Sequence, residues 1–444
     1  MEIRFKILTV LFFVSTLLFS QQWKQTASTP EGGGVTELIV KDNSYLFVAT
    51  ASHNFPDGDK GGIRRSTDGG NSWDNVFDAY IGRFITEGQD GHIYASVWPY
   101  PEPEGLYRSV DFGYSWELLT TVQENNNIFS IAVSAVTKEP IIFIGTRLGV
   151  MRSDDDGQNF NMINTGIDPG SWVFDLDVDP EGIVAAGTSS GLYISLNNGD
   201  SWTKAGGDIG NNDTVREVQY YSSSQSRNSN NESSHLFAGF DLETDVAIAE
   251  GLRENDYLTS SLVAIFNVEG HIGGVGLASL KYLNKKIYGT AVFPEGESGG
   301  GYYQSDASGE NFEKMNDGLP GDNPPASALT STKAFDPFYH IRDKPTNSMA
   351  MQKSSETKDT VSTYLGLFEN SNGGAKVFVL KQEFLGINEQ KNTNVTSLNV
   401  YPNPFDKNVI ISFDLKYHAK IELSIIDTDG QQIEVIEQGD LAAG

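Results

Sequence analysis

The octapeptide Ser66-Thr67-Asp68-Gly69-Gly70-Asn71-Ser72-Trp73 recurs along the chain with small changes. Further copies start at Ser109 (SVDFGYSW), Ser153 (SDDDGQNF), Ser195 (SLNNGDSW) and Ser305 (SDASGENF). The shared pattern is S-x-D-x-G-x-x-[WF], from which Asn197 and Ala307 depart at the Asp position. The first four copies start 43, 44 and 42 residues apart, which is the length of a repeat built from four short strands.

Each residue type in this box has a structural use. An Asp or Asn side chain accepts hydrogen bonds from the N–H groups of a tight turn, and Gly supplies a positive φ. A Trp or Phe at the end of the box fills the space between neighbouring sheets. The predicted structural residues of the boxes are Asp68, Trp73, Asp111, Trp116, Asp155, Phe160, Asn197, Trp202 and Phe312.

Short apolar segments punctuated by Gly precede every box and predict an all-β meander. Between the fourth and fifth boxes, His235–Gly239 and Ser261–Phe266 predict two successive strands of a repeat without a box. Residues 363–367 and 376–380 predict another such repeat, and the polar stretches 222–234 and 343–360 predict loops between first and second strands. Together these repeats predict a seven-bladed β-propeller over residues 21–385, closed by residues 22–24 as the last strand.

The box resembles that of the Asp-box, or BNR-repeat, family of β-propellers. Members include sialidases, sortilin-type receptors, xyloglucan-degrading enzymes and bacterial surface proteins. Because such different activities share the scaffold, the resemblance implies the fold and leaves the function open.

The two ends of the chain predict export. Arg4 and Lys6 precede the apolar run 7–19 and the small residue Ser20, the order of a cleavable signal peptide over residues 1–20. An uncleaved N-terminal anchor is the alternative.

Residues 386–396 predict a linker. Residues 397–444, with YPNPF at 401–405 and a DTDG turn at 427–430, resemble the type IX secretion sorting domain of Bacteroidetes. The alternative there is an ordinary adhesive β domain.

That resemblance implies secretion machinery as a partner and a location outside the cell or on its surface. The family's last strands would follow residues 440–444, so the sorting domain is expected to be incomplete. No transmembrane segment is expected in the mature chain.

The charge and the lack of cysteine disfavour some classes of binding partner and of metal site. The chain has 444 residues, with 31 Lys and Arg against 59 Asp and Glu, a net charge of −28, and no cysteine. A nucleic-acid partner is disfavoured because phosphate backbones select basic surfaces. Without cysteine the chain has no disulfide and no thiolate metal site.

Candidate site residues lie in the predicted loops between second and third strands, which open opposite the boxes. Long loops are expected at 52–60, 97–104, 241–260, 291–298 and 368–372. Carboxylates suited to acid and base roles are Glu102, Glu104, Glu295 and Glu297, and ligand-binding candidates are Phe55, Trp98, Tyr100, Phe293 and Arg147. The alternative interpretation is solvated loops on an acidic protein. Sialidase activity is disfavoured because the Arg-Ile-Pro-type tripeptide is missing.

No cofactor or metal site is predicted; Ca²⁺ at Asp154–Asp156 or at Asp175, Asp177 and Asp179 is an alternative to turn and strand-end polarity. Two functional hypotheses follow. The protein is a surface binding module for an extracellular glycan or surface protein, or it is a glycoside hydrolase with paired carboxylates.

Overall fold

A computed structural model of the chain contains strands, turns and loops. It describes residues 22–41, 45–52, 60–99, 102–123, 126–207, 213–222, 234–241, 246–252, 257–266, 276–283, 286–292, 301–305, 312–317, 319, 348–353, 359–367, 375–384, 395–401, 410–415, 419–426 and 432–441. All regular elements in these ranges are β-strands. The described residues fall into two compact units, one of residues 1–352 and 362–381, the other of residues 353–361 and 382–444.

The strands are numbered in chain order. The first seventeen are β1 (Lys24–Gln25), β2 (Gly34–Lys41), β3 (Tyr45–Ala51), β4 (Gly61–Ser66), β5 (Asp74–Ala79), β6 (Ile81–Glu87), β7 (Ile93–Trp98), β8 (Gly105–Ser109), β9 (Glu117–Thr121), β10 (Ile128–Ser134), β11 (Ile141–Thr146), β12 (Gly149–Ser153), β13 (Asn161–Met162), β14 (Val173–Val178), β15 (Val184–Thr188), β16 (Gly191–Ser195) and β17 (Thr203–Lys204). The next twelve are β18 (Gly206–Gly207), β19 (Thr214–Ser222), β20 (Ser234–Asp241), β21 (Val246–Leu252), β22 (Thr259–Phe266), β23 (Gly276–Leu283), β24 (Lys286–Val292), β25 (Gly301–Ser305), β26 (Phe312–Lys314), β27 (Ser348–Lys353), β28 (Asp359–Leu367) and β29 (Lys376–Phe384).

Strand pairing arranges most of the described strands in groups of four, and we call these groups blades. In addition, β3 pairs with β6 at Ala51 and Ile81, and β18 pairs parallel with β22. Blades 1 to 4 are β2–β5, β6–β9, β10–β13 and β14–β17; blades 5 and 6 are β19–β22 and β23–β26. Blade 7 has the order β27, β28, β29, β1, so the N-terminal strand completes the last sheet. Lys24 pairs with Val379 and Gln25 with Phe378, as predicted. The predicted all-β propeller class is confirmed.

Two strand predictions were wrong. The stretch 241–260 is not one long loop, because β21 lies within it, and Ser261–Phe266 belongs to the fourth strand of blade 5 instead of the next strand after β20. Likewise β27 lies inside the stretch 343–360 that was expected to be a loop. Neither strand leads into a box, and β27 (SMAMQK) has no β-branched residue, so only pairing with β28 makes it a strand.

The box turn is held by hydrogen bonds among its own residues. In the first box the Ser66 hydroxyl donates to Asp68 Oδ1 (2.8 Å) and accepts from Gly70 N–H (2.8 Å). Asp68 then accepts from the N–H (2.9 Å) and the hydroxyl (2.6 Å) of Ser72. The same bonds form at Asp111, and at Asp155 the Asn159 amide donates in place of a serine hydroxyl. At Asn197 the amide oxygen takes the place of the carboxylate, and its Nδ2 donates to the Ser201 hydroxyl. The predicted Gly residues have φ between 81° and 86° in these four boxes.

The aromatic residue that ends each box packs between two blades. Trp73 lies among residues of blades 1 and 7, and Trp116 lies among residues of blades 1 and 2. Phe160 contacts the apolar cluster between blades 2 and 3, and Trp202 belongs to the apolar cluster between blades 3 and 4. In the fifth box, Phe312 begins β26, and residues 306–311 lie outside the described ranges.

A second contact between blades uses the arginine that precedes the box serine. Arg65 donates to the Phe112 carbonyl in the next box (2.8 Å), and Arg152 donates to the Asn198 carbonyl (2.6 Å). Arg108 donates to the Asp156 carboxylate. In blade 4 the equivalent residue is Ile194, and blade 5 has no box to receive an arginine. An arginine therefore precedes the box in blades 1 to 3, where the following blade has a box turn that accepts its hydrogen bond.

The second unit contains two strand pairs. The strands are β30 (Val395–Tyr401), β31 (Ile410–Leu415), β32 (Ala419–Ile426) and β33 (Gln432–Leu441). β30 pairs antiparallel with β31, and β32 with β33. The predicted turn at 427–430 lies outside the described residues, as do residues 1–21.

Replacing Gly70 by Ala is expected to destabilise the ring more than replacing Gly91 by Ala. Both glycines have positive φ (86° and 79°), which costs an alanine about 1 kcal/mol. A Cβ at Gly70 would also lie 2.5 Å from Thr26 Cγ2, whereas nothing lies within 4 Å of a Cβ at Gly91. Overpacking adds about 1–3 kcal/mol. Urea unfolding midpoints measure the difference, and equal midpoints would contradict the close approach of residues 26 and 70.

Replacing Asp111 by Asn is expected to reduce the loss of stability in acid. The Ser115 hydroxyl and N–H donate to the ionised carboxylate and hold the pKa of Asp111 below its ordinary value. A depressed carboxyl pKa stabilises the fold above the unfolded-state pKa of about 4 and ceases to do so as the pH falls through the lower, folded-state value. Asparagine keeps the acceptor oxygen and does not titrate. Urea midpoints at pH 7 and pH 3 test this, with Asn197→Asp expected to steepen the dependence.

Candidate functional site

The connections between second and third strands open on one end of the blades, where the inner strands also begin. We call this end the mouth face, and the opposite end, which carries the boxes, the box face. In blades 3 and 4 the connections are the short turns Arg147-Leu148 and Ser189-Ser190. In blade 2 the connection runs from Pro99 to Glu104. The boxes follow third strands, as predicted, so site residues are sought on the mouth face.

A β-bulge recurs near the beginning of the inner strands. The register with the second strand shifts by one residue in each of blades 1 to 6. The unpaired residues are Thr36, Arg83, Phe129, Phe174, Arg216 and Ala278. A bulge bends its strand and redirects a side chain, and bulges are frequent beside functional sites. Six equivalent positions of the ring thus carry four residue types, Thr, Arg, Phe and Ala.

Three of these side chains belong to a cluster of aromatic rings and arginines, which we call the mouth cluster. Its rings are Phe129, Trp172 and Phe174, with centroids 6.0 to 6.2 Å apart. The Arg147 guanidinium lies over Trp172 (4.2 Å from Cζ to the ring centroid), and that of Arg216 lies over Phe174 (4.7 Å). Phe129 and Phe174 are buried, whereas Trp172, Arg147 and Arg216 are half-buried and reach the surface.

Local structure explains how Arg147 reaches Trp172. The two-residue turn between β11 and β12 ends at Gly149, whose φ is 114°. A Cβ there would lie 2.2 Å from Asn164 Oδ1, so the position requires glycine. The Leu148 N–H donates to Asn126 Oδ1 (3.2 Å) and leaves the Leu148 side chain 56% exposed. The short turn therefore presents Arg147 over Trp172, which precedes β14 in the next blade.

Glu104 occupies a buried network instead of an open loop. Arg83 Nε donates to its Oε1 (3.0 Å), Ser96 donates to the same oxygen, and Asn127 Nδ2 donates to Oε2 (3.2 Å). The side chains of Arg83 and Glu104 are 3% and 6% exposed. The Glu104 carboxylate has two further donors, Ser96 and Asn127, which offset part of the cost of burying its charge, whereas the buried Arg83 Nη1 has no hydrogen-bond partner among the described residues. The network joins blade 2 to the segment that leads into blade 3, so Glu104 acts as a positioning residue.

The structure describes some of the other site residues predicted from the sequence and leaves the rest outside its described ranges. Glu102 is exposed, and Trp98 is half-buried at the end of β7 beside Ile81. Arg147 belongs to the mouth cluster. Phe55, Tyr100, Phe293, Glu295 and Glu297 lie outside the described residues.

The aspartates considered for Ca²⁺ accept bonds from the protein itself. Asp175 and Asp177 accept from the N–H groups of Val218 (2.9 Å) and Tyr220 (2.7 Å) in the inner strand of blade 5. Asp179 accepts from two N–H groups of its own turn. Within the described ranges no group of three or more His, Asp or Glu side chains is placed to hold a metal ion.

Sequence reasoning missed the three rings of the mouth cluster. Phe129 and Phe174 are the second residues of inner strands and Trp172 directly precedes one, and an apolar residue at such a place predicts core packing. A usable signal was the equivalent place of Phe129 and Phe174 in successive repeats, at the second position of an inner strand.

Comparisons with known proteins agree with this architecture. The structure of the RRP9 WD40 repeats matches with a TM-score of 0.51 and 11% identity, covering 82% of this chain and 98% of that one. WD40 repeats form β-propellers, so the likeness is one of fold. The structure of YCF48 from Cyanidioschyzon merolae matches with a TM-score of 0.46 and 11% identity, covering 81% of this chain and 98% of that one. The structure of an ancestral GH74 enzyme matches with a TM-score of 0.47 and 14% identity, covering 91% of this chain and 52% of the enzyme.

The C-terminal segment matches a family of known role. Residues 399–441 match the family described as "Secretion system C-terminal sorting domain". This match indicates that the protein is exported, with the secretion machinery as a partner. No curated protein sequence matches the chain. In the part of the chain that the structure describes, no helix is long and apolar enough to cross a membrane.

Glu104→Gln is expected to lower the free energy of unfolding by about 3 kcal/mol, because it leaves the buried Arg83 charge without its counter-ion. Glu102→Gln is the matched control and is expected to leave unfolding unchanged, since Glu102 is exposed. Thermal and urea unfolding provide the measurement. A Glu104→Gln protein of unchanged stability would contradict the positioning role.

Proposed function

We propose that this exported propeller is a binding module whose mouth cluster takes up an extracellular glycan that bears carboxylates. The observation that carries the proposal is the stacking of two arginines on adjacent aromatic rings, Arg147 on Trp172 and Arg216 on Phe174. Both arginines reach the surface of the mouth face, and the centroids of the two rings lie 6.2 Å apart.

Stacking suits a guanidinium to a carboxylate ligand. Its N–H donors lie in the plane of the group, so a ring beneath that plane leaves the edge directed to other partners. The ring also holds the guanidinium in place, which reduces the entropy lost when a carboxylate is bound through two parallel hydrogen bonds. Two such groups, one from blade 3 and one from blade 5, fit a ligand with more than one acidic unit.

The half-buried tryptophans suit the remainder of a sugar. An indole face packs against apolar C–H groups, and its N–H donates to a hydroxyl. Trp172 lies within the cluster, and Trp98 lies on the mouth face of the neighbouring blade 2. Because the whole chain carries −28 charges, long-range attraction does not favour an acidic ligand, and recognition depends on these short-range contacts.

The two catalytic candidates that the structure describes, Glu102 and Glu104, support binding over hydrolysis. Hydrolysis of a glycoside ordinarily requires two carboxyl groups flanking one bond, roughly 5 to 9.5 Å apart. Glu104 is committed to Arg83, Ser96 and Asn127, and it is buried. Glu102 is exposed without a second free carboxylate from this loop.

Isothermal titration with alginate, a polyuronate, and dextran, a neutral glucan, tests the proposal. We expect alginate to bind and dextran to bind at least tenfold more weakly. The double variant Arg147→Gln/Arg216→Gln is expected to lose at least tenfold in alginate affinity, and Trp172→Ala is expected to lose a similar factor.

Two box-face variants serve as matched controls. Tyr114→Ala removes a 73% exposed ring that also lies under an arginine, Arg65. Lys138→Gln removes a 94% exposed positive charge. Both are expected to keep the alginate affinity within twofold. Equal binding of alginate and dextran, or an undiminished affinity in the arginine double variant, would refute the proposal. Release of reducing ends from alginate would favour the hydrolase hypothesis instead.

A further inference from the structure

The segment from Trp23 to Ser28, which we call the closing segment, joins the last blades to the first. It contains β1, whose two residues pair with β29 in blade 7. Thr26 N–H and its hydroxyl both donate to the Val377 carbonyl (2.9 and 3.1 Å). A short strand with few ladder bonds therefore completes the ring.

Side-chain contacts at the beginning of the closing segment hold blades 6 and 7. The Trp23 indole is 3% exposed and meets the Tyr302 ring edge-on at 4.9 Å. Its Nε1–H donates to the Met315 carbonyl (2.7 Å), and its backbone N–H donates to the Asp317 carbonyl (2.7 Å). The same cluster contains residues of β28 and β29, including Phe378. Trp23 thus takes the place that a box aromatic has elsewhere, although blade 7 has no box.

The other end of the closing segment reaches blade 1. Ser28 N–H donates to the Gly70 carbonyl (3.2 Å), and Trp73 Nε1–H donates to the Ser28 carbonyl (3.2 Å). Gly70 gives Thr26 room, since a Cβ there would lie 2.5 Å from Thr26 Cγ2. Six residues therefore contact the third strand of blade 6, the sheet of blade 7 and the first box.

The predicted signal peptide ends three residues before this buried tryptophan. Cleavage after Ser20 would leave only Gln21 and Gln22 ahead of Trp23. We propose that the ring cannot close while the signal peptide is held in the membrane, so that removal of the signal peptide permits the last step of folding. The inference rests on the closing contacts and on the predicted cleavage site, and it is independent of what the mouth cluster binds.

Distance gives the physical reason. Three extended residues span about 10 Å. The polar layer of a bilayer is itself about 5–7 Å thick on each side of the apolar core. An apolar run 7–19 that stays in the membrane would therefore hold Trp23 within a few ångströms of the headgroups. The buried contacts of Trp23 with blades 6 and 7 would then require two folded sheets to press into the membrane surface.

The order of synthesis points the same way. The partners of the closing segment lie 292 residues away at Met315 and 351 residues away at Val377. Closing so long a loop comes late in folding, because its entropy cost is met only when the last sheet has formed. The first residues to be exported thus await the last blade before the ring can close.

Limited proteolysis of membrane-held and released protein tests the proposal. Signal peptidases require a small residue before the cut, so Ser20→Tyr is expected to block processing. We expect the processing-blocked protein, in membranes with its folded part exposed to protease, to be degraded at least tenfold faster than the processed protein. Equal resistance of the two proteins would overturn the proposal.

A spacer separates the effect of the tether from that of the extra residues. A twenty-residue Gly/Ser insert between Gln21 and Gln22 of the Ser20→Tyr protein spans enough distance to free Trp23 from the membrane. Resistance is expected to return to within twofold of the processed protein. If the spacer leaves the protein as sensitive as before, tethering is not the cause and the proposal fails.

Trp23→Ala in the processed protein tests the closing contacts themselves. It is expected to be degraded about as fast as the processing-blocked protein, because it lacks the buried ring that joins blades 6 and 7. Leu196→Ala is the matched control, since it truncates a 52% exposed side chain on the box face, and it is expected to resemble the unmodified protein. Full resistance of Trp23→Ala would show that closure does not depend on this residue, contrary to the inference.

Discussion

A four-stranded sheet with two apolar faces is stable only when both faces are covered, and in this protein each blade is covered by its two neighbours. The aromatic residues Trp73, Trp116, Phe160 and Trp202 fill the spaces between successive sheets. Since every blade needs a neighbour on each side, the arrangement must return to its starting point. The ring, the closing segment and the two faces of the molecule all follow from this requirement.

The contacts between blades also decide where the boxes face. Arg65, Arg108 and Arg152 each reach the box turn of the following blade, and that turn is preformed by hydrogen bonds within eight residues. Because these turns pack between blades and accept the arginines of the preceding blade, few side chains of the box face can change without loss of those contacts. The mouth face is different: its bulged positions carry Thr36, Arg83, Phe129 and others in different blades. A repeating scaffold thus acquires one face whose side chains differ from blade to blade.

The inner edges of the blades explain why several charged residues are structural. An inner strand pairs on one side only, so its other side exposes N–H and C=O groups that need partners. Asp175 and Asp177 meet this need for blade 5, and Thr36 donates to the Gly82 carbonyl of blade 2 (2.6 Å). Carboxylates near a central channel resemble catalytic or metal-binding groups in the sequence, yet here their oxygens serve the neighbouring strand.

Sequence alone determined the repeat, the turn within each box, the all-β propeller class and a sorting segment at residues 397–444, of which the family match supports residues 399–441. These features are local, because a serine, an Asp or Asn, a glycine and an aromatic residue within eight positions form the turn by themselves. The strands β21 and β27 escaped prediction because only pairing with their neighbours makes them strands. The tertiary structure decided the rest: Glu104 is buried against Arg83, and Arg147, Trp172 and Arg216 meet at one face. Packing of neighbouring blades brings together residues tens of positions apart, and no local pattern records which side chains will then be neighbours.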